Sequence, residues 1–359
     1  MKYLEEYRDN KLASNLINEI IRISRKPVRF MEVCGGHTMA IRKFGIHKML
    51  PPNIELLSGP GCPVCVTERS FIDKAILLSK KKEVIITTYG DLIRVPGTAS
   101  SLDQEKSSGA DVRIIYSTLE ALKIAEENPQ KKVVFPGIGF ETTTPSTAVA
   151  VLNAKVRQLQ NFFILSAHKI MPPAMEALIK GGADINGYIG PGHVSTIAGS
   201  RIYDKLSVDF NISVVISGFE PLDILQSLLM LVEQQEKGKP SVDIQYKRAV
   251  NYKGNLKAQK LVESVFETCN TGWRGIGNVP DSGLKLKDEF SRYNAELQFE
   301  LEVKEVPEPK GCLCGNILSG KNKPQDCKLF GKICVPENPI GACMVSSEGT
   351  CAAYYRYNF

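Results

Sequence analysis

The sequence predicts an α/β fold with two similarly wound, Rossmann-like parallel α/β lobes and a small C-terminal module. Over the first 300 residues, short apolar β-like runs alternate with amphipathic stretches, which is typical of parallel α/β units. Motifs from the first part of the chain recur after about 130 residues. Chance similarity among strand–turn–helix units is the alternative explanation. Six of the ten cysteines fall in the last 48 residues, so the tail differs in character from the rest.

Six apolar runs have the length and composition of buried strands, and they are residues 28–33, 84–88, 113–116, 132–135, 162–165 and 213–217. Ser117 and Glu120 have the spacing of a capping box at the start of a helix. Pro221 suits the first turn of a helix that extends to about Glu236. A charged, strand-like run at 297–306 precedes the C-terminal cysteines.

These elements suggest three domains. We expect one α/β domain over residues 1–128 and a second over residues 129–236. Residues 237–359 change in character, being turn-rich before the cysteines, and we expect them to form the C-terminal module.

Composition argues for a cytoplasmic globular protein. Apolar residues make up 43% of the chain and charged residues 23%, and the net charge of +6 comes without a long basic block. A nucleic-acid or membrane surface therefore has little support. The opening MKYLEEYRDN lacks the features of a secretory signal, and the apolar run at 228–232 is too short to span a bilayer. Cytosolic thiols stay mostly reduced, which disfavours structural disulfides.

The C-terminal cysteines make the clearest chemical statement in the sequence. Their spacings of 1, 12, 6, 8 and 7 residues place Cys312, Cys314, Cys327, Cys334, Cys343 and Cys351 in one short segment. Soft thiolates gathered in this way hold zinc, an iron–sulfur cluster or disulfides. Because about four thiolates complete a [4Fe-4S] site, two thiols would remain as a redox pair.

Cys34 is the sharpest single candidate outside that segment. It follows the predicted strand 28–33 and precedes a Gly-Gly turn and a helix that we expect Thr38 to cap. A cysteine near a helix N-terminus is stabilised as the thiolate by the helix dipole. His37 lies three residues further on and could act as a donor or base. A buried cysteine serving as a small apolar residue is the structural alternative.

Cys62 and Cys65 form a C-P-V-C motif that indicates redox or metal chemistry. Two intervening residues allow both sulfurs to reach one metal or to close a small disulfide. Half of a zinc site is the alternative, although no second C-x-x-C motif completes it.

Other candidate residues follow the predicted strands, where working residues of parallel sheets collect. These strand ends read CGGH (34–37), TYGD (88–91), PGIGFETT (136–143), SAHK (166–169) and SGFEP (217–221). Together they suggest a lined cleft. In the third, Glu141 and its neighbouring threonines could bind an anion or position a thiol partner. Simple capping of the next helix is the alternative.

The order of these motifs resembles one known family. CGGHT at 34–38, GPGCPVC at 59–65, TYGD, PGIGFETT and the C-terminal run from CLCGNIL to EGTC are similar to those of the hydrogenase maturation factor HypD family. The resemblance extends over essentially the whole chain.

The resemblance implies a role in building the Fe(CN)2CO unit of [NiFe]-hydrogenases before its transfer to the hydrogenase large subunit. It implies a HypC-type chaperone as partner, with cyanide supplied by HypE and, upstream, HypF. On this interpretation Cys34 is the thiolate that holds the iron, and Cys62 and Cys65 are a dithiol nearby. His37 and Glu141 are further candidate catalytic residues. Whether the chain turns over a substrate or only serves as a scaffold is left open.

A further resemblance, to ferredoxin:thioredoxin reductase, suggests how the six tail cysteines divide. It implies that four ligate the [4Fe-4S] cluster and that the other two form the redox pair. The implied ligands are Cys312, Cys327, Cys334 and Cys351, and the implied pair is Cys314 with Cys343. Spacing alone allows other choices.

Two other functions compete with the scaffold. The same cluster and dithiols would suit a thiol–disulfide oxidoreductase that acts on protein partners. A structural zinc module on a two-lobed binding protein is the other.

Overall fold

The computed structural model describes residues 5–304 and 306–357 and confirms the α/β class. Two mostly parallel sheets, of five and six strands, are flanked by helices, as expected of two Rossmann-like lobes. The strands are β1 (Val28–Glu32), β2 (Ile54–Ser58), β3 (Val84–Thr88), β4 (Val112–Ile114), β5 (Lys132–Gly139), β6 (Phe162–Lys169), β7 (Gly187–Pro191), β8 (Ser213–Ser217), β9 (Val242–Ile244), β10 (Phe266–Trp273) and β11 (Gly277–Leu286).

Helices form most of the connections between the strands and also occur in the C-terminal tail. They are α1 (Asn10–Ile23), α2 (Gly35–Lys43), α3 (Ile46–Met49), α4 (Pro63–Val66), α5 (Arg69–Ser79), α6 (Leu102–Ser107), α7 (Thr118–Glu127), α8 (Thr144–Val156), α9 (Met171–Lys180), α10 (Gly192–Ala198), α11 (Asp204–Phe210), α12 (Pro221–Lys237), α13 (Leu256–Val265), α14 (Ala295–Gln298), α15 (Cys314–Leu318) and α16 (Thr350–Arg356). Short 3-10 helices cover Glu5–Tyr7, Leu92–Arg94, Ser200–Tyr203, Asp288–Tyr293, Pro324–Asp326 and Ala342–Met344.

The first sheet is parallel throughout, with the strand order β2-β1-β7-β8-β9. Phe30 in β1 pairs with Leu56 on one side and with Gly187 on the other. A side chain at Gly187 would lie 3.1 Å from Leu231, so glycine lets α12 pack closely on β7. Because the strands are parallel, the segments after β1, β2, β7 and β8 all emerge at one edge.

The second sheet has the order β10-β11-β6-β5-β3-β4. Strands β3 to β6 are parallel, and the β10–β11 hairpin adds to β6 in the antiparallel direction. This hairpin lies where the sequence suggested a turn-rich stretch. The predicted strand at 297–306 is wrong over its described part, because Leu297 and Gln298 end α14 and residues 299–304 are irregular.

The other predicted elements agree closely with the structure. Each of the six predicted strands overlaps a strand of the structure, and two of them, 84–88 and 213–217, have the same bounds. Pro221 begins α12 as expected. Ser117 caps α7, but the Glu120 carboxylate accepts from the backbone N–H of Tyr116, so the predicted capping box is only half formed.

Both sheets draw on separated stretches of chain. The first combines β1 and β2 with β7 to β9, and the second combines β3 to β6 with β10 and β11. Each sheet thus includes strands from both sides of residue 128, whereas the predicted division runs along the chain; as domain boundaries, 1–128, 129–236 and 237–359 stay a prediction. The internal repeat does not mark equivalent positions, because β1 and β2 pair while their supposed counterparts β6 and β7 lie in different sheets.

One apolar cluster connects the sheets with the C-terminal segment. It includes Met31 from the first sheet, Ile86 from the second sheet, and Cys65, Cys343 and Ala352, all of them buried. The tail cysteines are therefore part of a continuous core. Among the described residues, no helix has the length and apolar character needed to cross a bilayer.

Candidate thiol site

Cys34 is almost fully buried at the carboxyl end of β1, within the first sheet. It follows β1, occupies the N-cap position of α2, and is 8% exposed. The GPGC loop after β2 packs directly on it, because a side chain on Gly61 would lie 2.2 Å from the Cys34 nitrogen. The Gly35 N–H also donates to the Gly61 carbonyl at 3.2 Å. The loop that precedes Cys62 is thus fixed against Cys34.

The expectation that the helix N-terminus leaves Cys34 as a thiolate is wrong in this structure. Burial and the charge of Glu348 raise the pKa of Cys34 to about 12. Backbone N–H groups of Gly36 and His37 do bond the sulfur and lower its pKa, but burial outweighs them. A positive ion at the sulfur would be needed to compensate for this desolvation.

Thr38 does not cap α2, because Cys34 is the N-cap and the helix begins at Gly35 instead of Met39. Its hydroxyl donates to Glu32 Oε1 at 2.7 Å from inside the helix. The Glu32 carboxyl is 2% exposed, and its Oε2 has no hydrogen-bond partner. Burial raises the pKa of Glu32 to about 8. A carboxyl group is therefore enclosed beneath Cys34.

His37 is enclosed rather than facing a cleft. Its Nε2 lies 3.0 Å from the Gly218 carbonyl and 3.2 Å from that of Ser217, and burial lowers its pKa to about 4. Its ring stacks on Phe219 at 4.6 Å. His193 stacks on Phe219 at 3.9 Å and is exposed. Of the two histidines near Cys34, only His193 is presented to solvent.

Cys62 and Cys65 bracket a single helical turn. Cys62 is the N-cap of α4 and Pro63 its first residue, so the motif folds as a helix start. Cys65 has no exposed surface, and its thiol lies 3.9 Å from the Ala342 carbonyl. The Cys65 side chain interacts with those of Cys343 and Cys62 without forming a disulfide, and burial raises the pKa of Cys65. The motif therefore reaches the C-terminal cysteines directly.

All six tail cysteines line one small cavity, of about 10 Å³, with apolar neighbours. The lining residues are Cys312, Cys314, Cys327, Cys334, Cys343 and Cys351, together with Ile317, Leu329, Phe330, Gly341 and Met344. All ten cysteines of the chain are described, and none forms a disulfide.

Side-chain contacts connect these thiols into a chain. The side chains of Cys312 and Cys314 interact, as do those of Cys314 and Cys343, and Cys343 also interacts with Cys351 and Cys65. Neighbouring thiols and burial hold the pKa of Cys312, Cys314 and Cys343 above the ordinary value for a thiol. Continued through Cys65 to Cys62, the chain extends from the tail cavity to the loop beside Cys34.

The donor set suits a [4Fe-4S] cluster. It offers soft thiol ligands in an apolar lining, which is what iron–sulfur clusters bind. A volume of about 10 Å³ holds only about one water, so loading would require the thiols to separate. Accordingly, within residues 5–304 and 306–357, no three histidine, cysteine or carboxylate side chains already have the geometry of a metal site.

The strand ends of the second sheet lie nearby. Glu141 accepts a bond from the Met171 N–H, its Oε2 is buried without a partner, and burial raises its pKa to about 7. Burial and the charges of Glu141 and Cys34 raise the pKa of Tyr203, which therefore lies near both. Asp91 accepts a bond from Ser346, close to Glu348. Residues from both sheets and the tail thus converge near Cys34.

Several of these residues were not singled out in the sequence. Tyr203 and the buried Arg274 stand in no recognised motif, Glu348 lies in the EGTC motif but was not considered as a site residue, and only the fold brings the three to the thiols. One local feature of the sequence indicated His193, because the GPGH that ends at this residue repeats the pattern of GPGC.

Comparison with known proteins decides the family. The family model "HypD: Hydrogenase formation hypA family" matches residues 11–358. The chain belongs to the HypD family. Its HypD relatives include "Hydrogenase maturation factor HypD2" of Bradyrhizobium diazoefficiens, 48% identical, with 99% of this chain and 97% of the relative aligned. "Hydrogenase maturation factor HypD" of Cupriavidus necator is 47% identical over the same shares. The protein of that name from Escherichia coli is 44% identical over 99% and 98%.

Membership of the HypD family identifies the chain as a hydrogenase maturation factor. The match extends beyond the cysteine motifs to both sheets, including the β10–β11 hairpin of the second.

Proposed function

We propose that this HypD-family chain is a redox-active scaffold on which the Fe(CN)2CO unit of [NiFe]-hydrogenases is assembled. The observation that supports it most is the chain of contacting thiols from the tail cavity to the loop against Cys34. A protein that only bound a structural metal would not need buried thiols continuing beyond the site.

In this proposal the iron is cargo, and Cys34 is its ligand on this chain. A HypC-type chaperone supplies another ligand, cyanide comes from HypE with HypF upstream, and the hydrogenase large subunit receives the product. Thiolate suits iron that bears cyanide and carbon monoxide, because such iron favours soft anionic ligands. A cation at Cys34 would favour ionisation of the nearby carboxyl groups of Glu32 and Glu348, which would then help to hold it. We place the protein in the cytoplasm.

A [4Fe-4S] cluster held by Cys312, Cys327, Cys334 and Cys351 would supply electrons. Cys314 and Cys343 remain as the adjacent dithiol. The contact between Cys314 and Cys343 supports pairing them, and the contact between Cys343 and Cys65 supports an exchange partner.

The exchange between the two dithiols balances without another reactant. The Cys343 thiolate attacks Cys65 of a Cys62–Cys65 disulfide, and Cys62 leaves as a thiolate. The Cys314 thiolate then attacks Cys343, which releases Cys65 and closes the Cys314–Cys343 disulfide. Two electrons and the accompanying protons move from the tail dithiol to the one beside Cys34.

His37 and Glu141 keep candidate roles in this scheme as groups that shape the site. His37 bonds two carbonyls after β8 and so fixes the start of α2 against that strand end. Glu141 bonds the first N–H of α9 and has one free carboxyl oxygen.

Infrared spectroscopy of the protein purified anaerobically with its chaperone tests the iron site. We expect cyanide and carbonyl stretching bands that disappear in Cys34→Ala and persist in Cys269→Ala, a half-buried cysteine on β10 outside the thiol chain. Bands that survive Cys34→Ala would place the iron elsewhere.

A thiol–disulfide oxidoreductase that acts on protein partners is the second candidate, and the same thiol chain favours it. It predicts catalytic reduction of a partner disulfide and no iron retained at Cys34. Analysis of bound iron, sulfide and zinc distinguishes the scaffold and the oxidoreductase from a structural zinc module. Either of the first two should contain about four irons and four sulfides per chain, the content of one cluster.

A further inference from the structure

Arg274 binds the helix that contains Cys65. The residue lies in the turn of the β10–β11 hairpin, and its backbone N–H donates to the Val66 carbonyl at 2.9 Å. Its guanidinium donates to the Thr67 carbonyl from Nε at 3.2 Å and from Nη2 at 3.0 Å. These bonds satisfy the carbonyls at the C-terminal end of α4, which otherwise would be buried without partners.

The same hairpin turn packs against α15, the helix that begins with Cys314. Gly275 has a φ of +82°, and a side chain there would lie 2.3 Å from the Gly315 carbonyl oxygen. A side chain on Gly315 would in turn lie 2.8 Å from the Gly275 Cα. The two backbones therefore touch, and the turn spans the gap between α4 and α15.

The guanidinium also brings a positive charge to the sulfurs. Arg274 is 5% exposed, and its carboxylate partner is the partly exposed Glu308 at 2.8 Å. Burial lowers the pKa of Arg274, whereas Cys314, Glu308, Cys343 and Cys65 raise it, which places the guanidinium near all three of these sulfurs. The ion-pair partner of this buried cation is Glu308, and the guanidinium can also stabilise a nearby sulfur when that sulfur becomes an anion.

We propose that Arg274 is a positioning residue for thiol exchange: it holds the Cys65 helix and the Cys314 helix side by side and places its charge at the sulfurs that exchange. This inference rests on the dithiol exchange proposed above. In each step a sulfur leaves as an anion, and a fixed cation stabilises that anion without reorganisation.

The test measures disulfide transfer in the full-length protein. Wild type, Arg274→Gln, Arg274→Lys and Arg69→Gln are equilibrated anaerobically in dithiothreitol buffers of graded redox ratio, alkylated and analysed by peptide mass spectrometry. A parallel set in the Cys62→Ser, Cys314→Ser double background, which lacks both thiols that would resolve it, reports the yield of the Cys65–Cys343 link. Arg69 is the matched control, because it bonds Glu308 and the Pro307 carbonyl but not Thr67. Circular dichroism verifies folding.

We expect Arg274→Gln to reduce the Cys65–Cys343 link and to shift the Cys62–Cys65 midpoint toward more reducing buffers, each by roughly threefold or more. Arg274→Lys keeps the charge but cannot reproduce the paired bonds to Thr67, so its link yield should fall while its midpoint stays close to wild type. Arg69→Gln should match wild type.

If Arg274→Gln folds and matches wild type in both measurements, or if Arg69→Gln changes them as much, the inference is overturned. If Arg274→Gln does not fold, Arg274→Lys decides, and a wild-type link yield in that variant would overturn the inference. If the double background with Arg274 intact never forms the Cys65–Cys343 link, the exchange proposed above fails and this inference falls with it.

Discussion

At the scale of single residues, the candidate site has two contrasting electrostatic environments. Cys34 has the carboxyl groups of Glu32 and Glu348 nearby, both of which raise its pKa. Cys65, Cys314 and Cys343 instead share the buried guanidinium of Arg274. Once ionised, such carboxyl groups favour a bound cation, whereas a guanidinium favours sulfur anions. The division matches the two roles that we propose, iron binding at Cys34 and thiol exchange at the others.

Burial of a neutral histidine should make the protein sensitive to acid. His168 is 1% exposed, bonds Thr147 and Ser166, and has its pKa lowered by burial to about 3. Its contribution to stability is fully present above pH 6.5, where the unfolded chain is also neutral, and is lost as pH falls toward the folded value. Between pH 7 and pH 5 the loss should be about 2 kcal/mol.

Urea unfolding at those two pH values measures this loss. His168→Gln should lose less stability on acidification than wild type by about that amount. His47→Gln, at a half-buried position, should show a smaller change. An unchanged pH dependence in His168→Gln would contradict the assignment.

At the scale of elements, the β10–β11 hairpin both extends the second sheet and positions the helices that contain the exchanging thiols. Its strands extend the second sheet, and its turn contacts the ends of α4 and α15. Close backbone approach at the turn requires glycine at position 275 for steric reasons and because of its positive φ.

A comparison of Gly275, in the turn, with Gly277, the first residue of β11, separates the steric requirement for glycine from the requirement for a positive φ. Gly275 and Gly277 both have positive φ, at +82° and +97°, but a side chain at Gly277 meets nothing within 4 Å. Gly275→Ala should therefore lower the free energy of unfolding by roughly 1–3 kcal/mol more than Gly277→Ala, because only it also clashes with Gly315. Chemical denaturation of both variants measures the difference, and equal losses would show that the turn is not seated as described.

At the scale of the whole molecule, the chain passes between the sheets repeatedly and the tail is docked on both. Helix α16 packs on α2, with the Arg42 guanidinium 3.4 Å above the Tyr354 ring, while Ser346 bonds Asp91 after β3. Because each sheet contains strands from distant parts of the sequence, neither can form without the other's connections. We therefore expect the sheets and the tail to unfold together.

Removal of the cluster should then affect the entire fold. A group that binds only the native state stabilises it, and the tail transmits that stabilisation to both sheets. Calorimetry of anaerobic protein before and after iron chelation should show one transition that moves to lower temperature. Two transitions, of which only the smaller responds, would contradict this single cooperative unit.

The sequence predicted what local pattern determines. Strands such as 84–88 and 213–217 were correct because continuous apolar runs mark buried parallel strands. Strand β7 escaped because its two glycines and proline hide the pattern. The thiol motifs were visible, but their burial was not, so the predicted thiolate at Cys34 failed against desolvation. Arg274 and Glu348 reach the thiols only through long-range packing, which no local pattern records.

The most direct test of the account is a trapped link between the two dithiols. In the double variant Cys62→Ser with Cys314→Ser, Cys65 and Cys343 keep each other as contacts but lose the thiols that would resolve a bond between them. Mild oxidation followed by peptide mass spectrometry should then yield a Cys65–Cys343 disulfide, absent when Cys65→Ser is added. Failure to form that disulfide in the folded double variant would contradict a continuous thiol path from the tail to Cys34.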